Sequence, residues 1–547
     1  MSNEIKENKD YLTVENVGDK GVSISHNALV EAQIESLAEA RKPWPVIKEN
    51  LRTFIVILAV QTNGVILGLE YVLLGALVGV QAFCRTMGHY DSATKSYAVA
   101  ASTLSLWAGL FGLMQFLGQI FAGWFADRFG RTKTIYLMVF NVYIGVMTEI
   151  LSRNRYDYLG AKIIMGTATG IMQVAIPTYV AEITPRDIRG ITIGLFAFNL
   201  SLGALIGTFV TWGANQAFGA DALDNRGWKV PLYVGLAAPT ISLVLMVLLM
   251  PESPYWFMLK NRVADASRSL QKLHPNRSEQ EILRMTNELQ YTVLKERQHK
   301  DSTKDASYLE CFRGSNLRRT FSALFPSLAQ QLVGNQLVQS YSTYFFTIAK
   351  LSNALLGSVI VSIVGLAAAV VAFCLVEKKS VGRWALVFWG VVGITISMLG
   401  IGIVDSADHG NASKGAGAAL VTFVALFNAA VAVGPGVAGW AYAGESGSAR
   451  LRAKTATLAV GSNAIIGTVT NIVIPFELAA IGPKTGYMFF GIGIICCVFI
   501  YLWIPDVTGR TYAQLDELFE RRIPARQFKN TECTGQYGNQ EIMAEVS

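Results

Sequence analysis

The stretch VILGLEYVLLGALVGV, Val65 to Val80, is hydrocarbon throughout except for Glu70. A helix that is apolar all round belongs in a large core or in lipid, and runs of about 18 or more such residues mark membrane spans. The stretch therefore sets the fold class, an all-α integral membrane protein. It also raises the first functional question. A carboxylate at that depth costs free energy, and by default it marks an ion pathway or a proton relay.

The rest of the chain agrees with a membrane assignment. Its 547 residues are 52% hydrophobic and 16% charged, whereas soluble domains carry about 25% charged residues. The 50 glycines suit membrane helices. The net charge of +7 gathers between the apolar runs and lacks the aromatic–basic interleaving of a nucleic-acid surface, so no nucleic-acid partner is expected. Cys84, Cys311, Cys374, Cys496, Cys497 and Cys533 are scattered without CxxC or Cys/His spacing, which argues against a metal site or a disulfide framework. No nucleophile–base–orienter set or phosphate-binding loop emerges, so an enzyme is not expected. The first fifty residues show no signal-peptide pattern, and the first span is expected to be an uncleaved anchor.

Hydropathy places spans near 53–80, 101–125, 134–151, 158–181, 191–217 and 230–250, then near 321–348, 354–376, 385–404, 415–442, 456–480 and 485–504. These are twelve transmembrane helices in two six-helix halves. The division is a polar N-terminal tail (1–51), a first half (52–256), a central loop with short amphipathic helices (257–320), a second half (321–505) and a polar C-terminal tail (506–547). DRFGRTK, TPRDIRG, EKKSVGR and SARLRAK fall in alternate loops, with the central loop and the ERRIPARQFK tail on the same side. Basic loops stay inside, so both termini are expected in the cytoplasm, in a multi-pass protein of the plasma membrane. SRNRYDY (152–158) is a basic exception on the other side. The sequon at Asn411 then lies outside and is a glycosylation candidate.

An internal repeat supports the two halves. Asp127 of ADRFGR has a counterpart in Glu377 of EKKSVGR, Glu182 of EITPRDIR in Glu445 of ESGSARLR, and Pro251 of PESP in Pro505 of PDVTGR. Each counterpart lies roughly 250–260 positions later. Halves related in this way place a solute site at their interface near the membrane midplane.

These motifs carry a resemblance. GWFADRFGRTK (123–133), PESPYW (251–256), QQLVGNQLVQSYSTYFF (330–346), GPGVAGWAYAGE (434–445) and TGRTYAQLDELFERRIPARQF (508–528) occur in the order expected of one family. The chain resembles the sugar porters of the major facilitator superfamily over nearly its whole length. GSARLRAKT and YSTYFF make it similar to the fungal maltose/α-glucoside proton symporters. The resemblance implies sugar uptake by proton symport with alternating access, with the proton as coupling ion, no other cofactor and a monomeric working unit.

The residues can be weighed beside it. Asp127, Arg128, Arg131, Glu182, Arg189 and Glu252 in the first half, and Glu377, Arg383, Glu445 and Arg450 in the second, lie at the basic end. Charges at matching depth can pair across the mouth and must part for it to open. A sugar needs amides that both donate and accept, and an aromatic face for stacking. Gln330 and Gln331 point about 100° apart, whereas Gln331 and Gln336 can share one side. With Asn463, Trp440 and, from the first half, Asn199, they form the expected solute site.

For Glu70 the resemblance implies more. GLE (68–70) puts it where proton-coupled sugar porters carry an Asp, and Lys162 of AKIIMGTATG (161–170) stands at the place of their fourth-helix arginine. Glu70 is expected to bind the transported proton, with Lys162 as its switchable counter-charge. Asn63, seven positions earlier, suggests a polar helix face turned toward the central cavity. The chain departs from the family at Tyr255, Trp384, Asp506, Ala197 and Gly235. Fewer amides leave a plant glycoside or fungal metabolite, possibly exported, as the alternative solute. A non-transporting sugar sensor is disfavoured by the short C-terminal tail.

Overall fold

The structure, a computed structural model, describes residues 43–92, 96–302, 307–376, 382–408, 413–448, 450–508, 510 and 512–533. The expectations for Glu377 and Asn411 fall outside these residues, and so does the side chain of Glu445.

Ten described segments are long and apolar enough to cross a membrane. The first six are Leu51–Val78, Ala101–Phe129, Arg131–Leu151, Arg155–Ile183, Arg189–Phe218 and Arg226–Leu249. Helices Ala354–Val376, Arg383–Asp408 and Lys414–Val433, the last continued by Ala438–Glu445, supply spans eight to ten. The long segment Lys454–Trp503 is two helices, Arg452–Ile481 and Thr485–Trp503, parted at Gly482 where φ is 58°. The seventh crossing escapes a length criterion because it is broken into Gly314–Leu332, Asn335–Gln339 and Ser342–Ile348. Its first break is at Gly334, whose φ of 91° is left-handed backbone that favours glycine. The described residues therefore form twelve crossings in two six-helix halves.

Within the first half, small residues let backbones approach. An added Cβ on Gly68 would collide with the carbonyl of Leu200, and one on Gly203 with that of Val65. The first and fifth spans therefore cross at backbone contact, as membrane helices do through small residues. Asn63 is not a cavity residue. It is fully buried and donates to Ser242 Oγ (2.6 Å), tying the first span to the sixth.

The repeat is written into the hydrogen bonds. Tyr179 Oη donates to the Pro251 carbonyl at 2.8 Å, and Tyr442 Oη donates to the Pro505 carbonyl at 2.9 Å. Each tyrosine sits three residues before the paired glutamates Glu182 and Glu445, so one half reproduces the other. Glu252 accepts from the backbone N–H groups of Arg131 (2.9 Å) and Thr132 (3.1 Å) at the start of the third span. In the second half, Thr508 Oγ1 accepts from the N–H of Arg383 (2.7 Å) at the start of the ninth. Helix N-termini need such acceptors because their first amides have no partner in the helix. The central segment forms helices Pro254–Leu259, Val263–Leu273 and Glu279–Ser302. Tyr255 Oη donates to Glu296 of the long helix.

The halves meet along a seam away from the basic loops. Gly75 of the first span abuts the Ser340 carbonyl of the seventh, and Gly79 abuts Thr343. Ser105 of the second span donates to the Ile472 carbonyl of the eleventh (2.7 Å), and Thr208 of the fifth to Ser362 of the eighth (3.2 Å). A side chain at Gly75 would collide with backbone, which cannot yield by a rotamer change. Gly75→Leu is expected to unseat the seam and bias the molecule toward the opposite opening. A bias of about 1.4 kcal/mol already changes a two-state ratio about tenfold. Labelling of Ser340→Cys by an impermeant maleimide from the far face should rise accordingly; unchanged labelling would contradict the seam.

Candidate functional site

Three spans bring charges together in the interior of the first half. The first span carries Glu70, the third Glu149 and the fourth Lys162. Lys162 Nζ lies 2.9 Å from Glu70 Oε2 and 2.8 Å from Glu149 Oε1. The side chain of Lys162 is 3% exposed and those of both acids 0%. The Lys162 ammonium also lies 5.1 Å from the Tyr158 ring centroid and 5.9 Å from that of Phe111, within cation–π range.

The Glu70–Lys162 contact is the one expected from sequence, but its surroundings differ in two ways. Glu70 does not face the central cavity; it points into the packed interior of its own half. Lys162 has two carboxylate partners, and Glu149 was not anticipated. Glu149 lies two residues before the end of its helix at Leu151, where charged residues are ordinary in membrane proteins, so hydropathy gives no alarm. The second acid also suits lysine at the arginine's place. A compact ammonium with three donors can stand between two carboxylates.

One residue along from Glu70, the first span turns a different group to a different place. Tyr71 Oη accepts from Gln115 Nε2 (2.8 Å) and Gln173 Nε2 (2.6 Å), and Gln119 Nε2 donates to Gln173 Oε1 (2.5 Å). Tyr71 and the three glutamines are half-buried, so water reaches them. None was singled out beforehand, because neutral amides scattered in apolar helices raise no charge anomaly. The one available signal was the Gln115/Gln119 spacing, which places both on one helix face.

The second half supplies a matching set. Gln331 Nε2 donates to Asn463 Oδ1 (3.2 Å), Gln336 Nε2 to Gln331 Oε1 (3.2 Å) and Ser340 Oγ to Gln336 Oε1 (3.2 Å). Asn463 Nδ2 donates to the Ser327 carbonyl (3.0 Å), which anchors the eleventh span on the seventh. The break at Gly334 lies between Gln331 and Gln336 and still lets them meet. Gln330 is buried outside this network. Trp440 follows Gly439, which packs on Pro326 of the seventh span, and stays 38% exposed. Asn199 is half-buried against Gly64 of the first span.

The two amide sets lie on the same side of the seam. Gly112 meets Thr468 where the second span crosses the eleventh. Gln115 and Gln119 continue from that crossing toward the basic end, and so does Asn463 on the antiparallel eleventh span. Both sets thus border the space just beyond the closed seam.

At the basic end, Asp127, Arg131, Glu182 and Glu252 are tied together within the first half. Arg131 lies 2.8 Å from Glu182 and 2.9 Å from Asp127, and Glu182 also accepts from Ser253. Arg450 lies 3.1 Å from Glu310. Arg128 is exposed and stacks on Phe129. The described contacts between the halves thus lie at the far end, while Arg131 pairs inside the first half and Arg450 with the central loop.

The model of the family "Sugar (and other) transporter" matches residues 55–519. Hexose transporter 2 of Kluyveromyces lactis is 26% identical over 86% of this chain and 83% of its own length. The general alpha-glucoside permease of Saccharomyces cerevisiae is 26% identical over 86% of this chain and 76% of its own. Among solved structures, the inward-open conformation of the xylose transporter XylE from E. coli is similar, with a TM-score of 0.69. It is 19% identical, and the match covers 85% of this chain and 99% of that one. The broken seventh span, the doubled tyrosine–proline ties and the family match agree: this chain belongs to the sugar (and other) transporter family of the major facilitator fold.

Proposed function

We propose that the chain imports an α-glucoside such as maltose by proton symport with alternating access, acting as a monomer in the plasma membrane with its basic end and both termini in the cytoplasm. The observation that carries this reading is the adjacency of Glu70 and Tyr71 on the first span. Glu70 meets Lys162 inside the half at 2.9 Å, while Tyr71 holds the amides of Gln115 and Gln173 at the edge of the central space. A proton on Glu70 removes half of a buried ion pair. Any resulting shift of the first span is delivered directly to Tyr71, where a solute hydroxyl would bind.

The amides Gln115, Gln119 and Gln173 on one side, and Gln331, Gln336 and Asn463 on the other, suit a solute with hydroxyls at both ends. Amides both donate and accept, and a sugar hydroxyl does the same. Opening toward the outside requires the seam at Gly75 and Gly79 to part, and the charges of the basic end to close the other mouth. The second reading is import or export of a plant glycoside or a fungal metabolite. It is favoured by Ala197, which leaves the fifth span with Asn199 as its nearby amide.

Uptake of radiolabelled maltose in a transporter-null yeast tests the proposal. We expect accumulation above the external concentration, abolished by a protonophore. Equilibration indifferent to the protonophore would overturn symport, and no uptake of any glucoside would favour the second reading.

A further inference from the structure

Glu149 has no part in the mechanism so far. Its side chain is wholly buried, and its Oε2 and Glu70 Oε1 are buried without a hydrogen-bond partner. The Tyr158 hydroxyl beside them is likewise unpartnered. The charged and titratable groups facing Glu149 are Lys162 and Tyr158 of the fourth span and Glu70 of the first; the second span contributes Phe111, which does not titrate. Two carboxylates around one ammonium carry an uncompensated negative charge when all are ionised. In a site closed to water that charge is expensive, and a single added proton neutralises the cluster.

The geometry also links the two acids: Lys162 Nζ stands 2.9 Å from Glu70 Oε2 and 2.8 Å from Glu149 Oε1, so one ammonium separates the two carboxylates.

We propose that Glu149 is a second proton-binding residue, and that Glu149 and Glu70 share the transported proton around a permanently charged Lys162. This inference rests on the symport reading above and adds a residue to it. The step balances simply. When the site opens to solvent, a hydronium ion gives its proton to the Glu149 carboxylate and leaves as water; that O–H bond then breaks as one forms on Glu70, and Glu149 is again an anion paired with Lys162. The cluster is neutral while it holds the proton and carries one negative charge before loading and after release.

The test compares the wild-type chain with Glu70→Gln, Glu149→Gln and Glu149→Asp in proteoliposomes under an imposed proton gradient. Glu149→Gln should lose accumulation, leaving no gradient of maltose, while maltose counterflow stays within about twofold of wild type and its pH dependence flattens. Glu149→Asp should restore accumulation, which a purely structural role for the longer side chain would not predict. If Glu70→Gln is uncoupled but Glu149→Gln accumulates maltose with the wild-type pH profile, the inference is overturned and the symport reading stands. Wild-type protein that never accumulates maltose overturns both.

Dicyclohexylcarbodiimide, which reacts with protonated carboxyls in apolar surroundings, gives a readout needing no variant. Labelling of Glu149 in the wild-type chain, falling as pH rises, is expected. Label confined to Glu70 would overturn the inference even if Glu149→Gln failed to insert.

Discussion

Lys162→Met is expected to be the most damaging single substitution in the first half. Methionine fits the space of the lysine stem but leaves Glu70 and Glu149 facing each other with no cation between them. Removing one partner of a buried ion pair typically costs about 3–5 kcal/mol, because the group left behind is neither solvated nor paired. Here two groups are left behind. Relief requires both carboxyls to be protonated, which also ends any response to pH. The variant should show a lower thermal midpoint in detergent and no solute accumulation. The decisive comparison is a cycle in which Lys162→Met is placed on a Glu70→Gln/Glu149→Gln background. With both acids already neutral amides, losing the ammonium should cost far less, with a coupling of about 2 kcal/mol or more. Equal costs in the two backgrounds would mean that the triad is not an energetic unit.

Much of the architecture was readable before any coordinates. Apolar runs place the spans because lipid imposes length and composition together, and Leu51–Val78 or Arg189–Phe218 depart from the hydropathy reading only at their ends. What hydropathy could not supply was continuity. The seventh span is as apolar as a whole helix, yet Gly334 and Ser340 divide it, since a break depends on backbone conformation and on the first span pressing at Gly75.

The site was legible where an anomaly was visible. Glu70 and Lys162 stand out as charges in apolar runs, and the structure joins them. Gln331, Gln336 and Asn463, expected from the motifs, are likewise brought together. Glu149 was hidden by its place near a span end, and Gln115, Gln119 and Gln173 by being neutral. Asn63 misled because a shared helix face does not say what the face meets: seven residues from Glu70, it meets the sixth span through Ser242.

The central claim is that a proton on Glu70 couples the gradient to the solute. Glu70→Gln imitates the protonated state permanently, with nearly the same shape and no charge to exchange. Lys162 would keep Glu149 as its partner at 2.8 Å, so the fold should tolerate the change. Counterflow needs only binding and rocking, whereas accumulation needs the proton to load on one side and leave on the other. The measurement is therefore the ratio of concentrative uptake to counterflow for one solute in one preparation of Glu70→Gln. The account predicts that counterflow persists while uptake against a gradient disappears and no longer responds to pH. Concentrative, pH-dependent uptake by Glu70→Gln would contradict it.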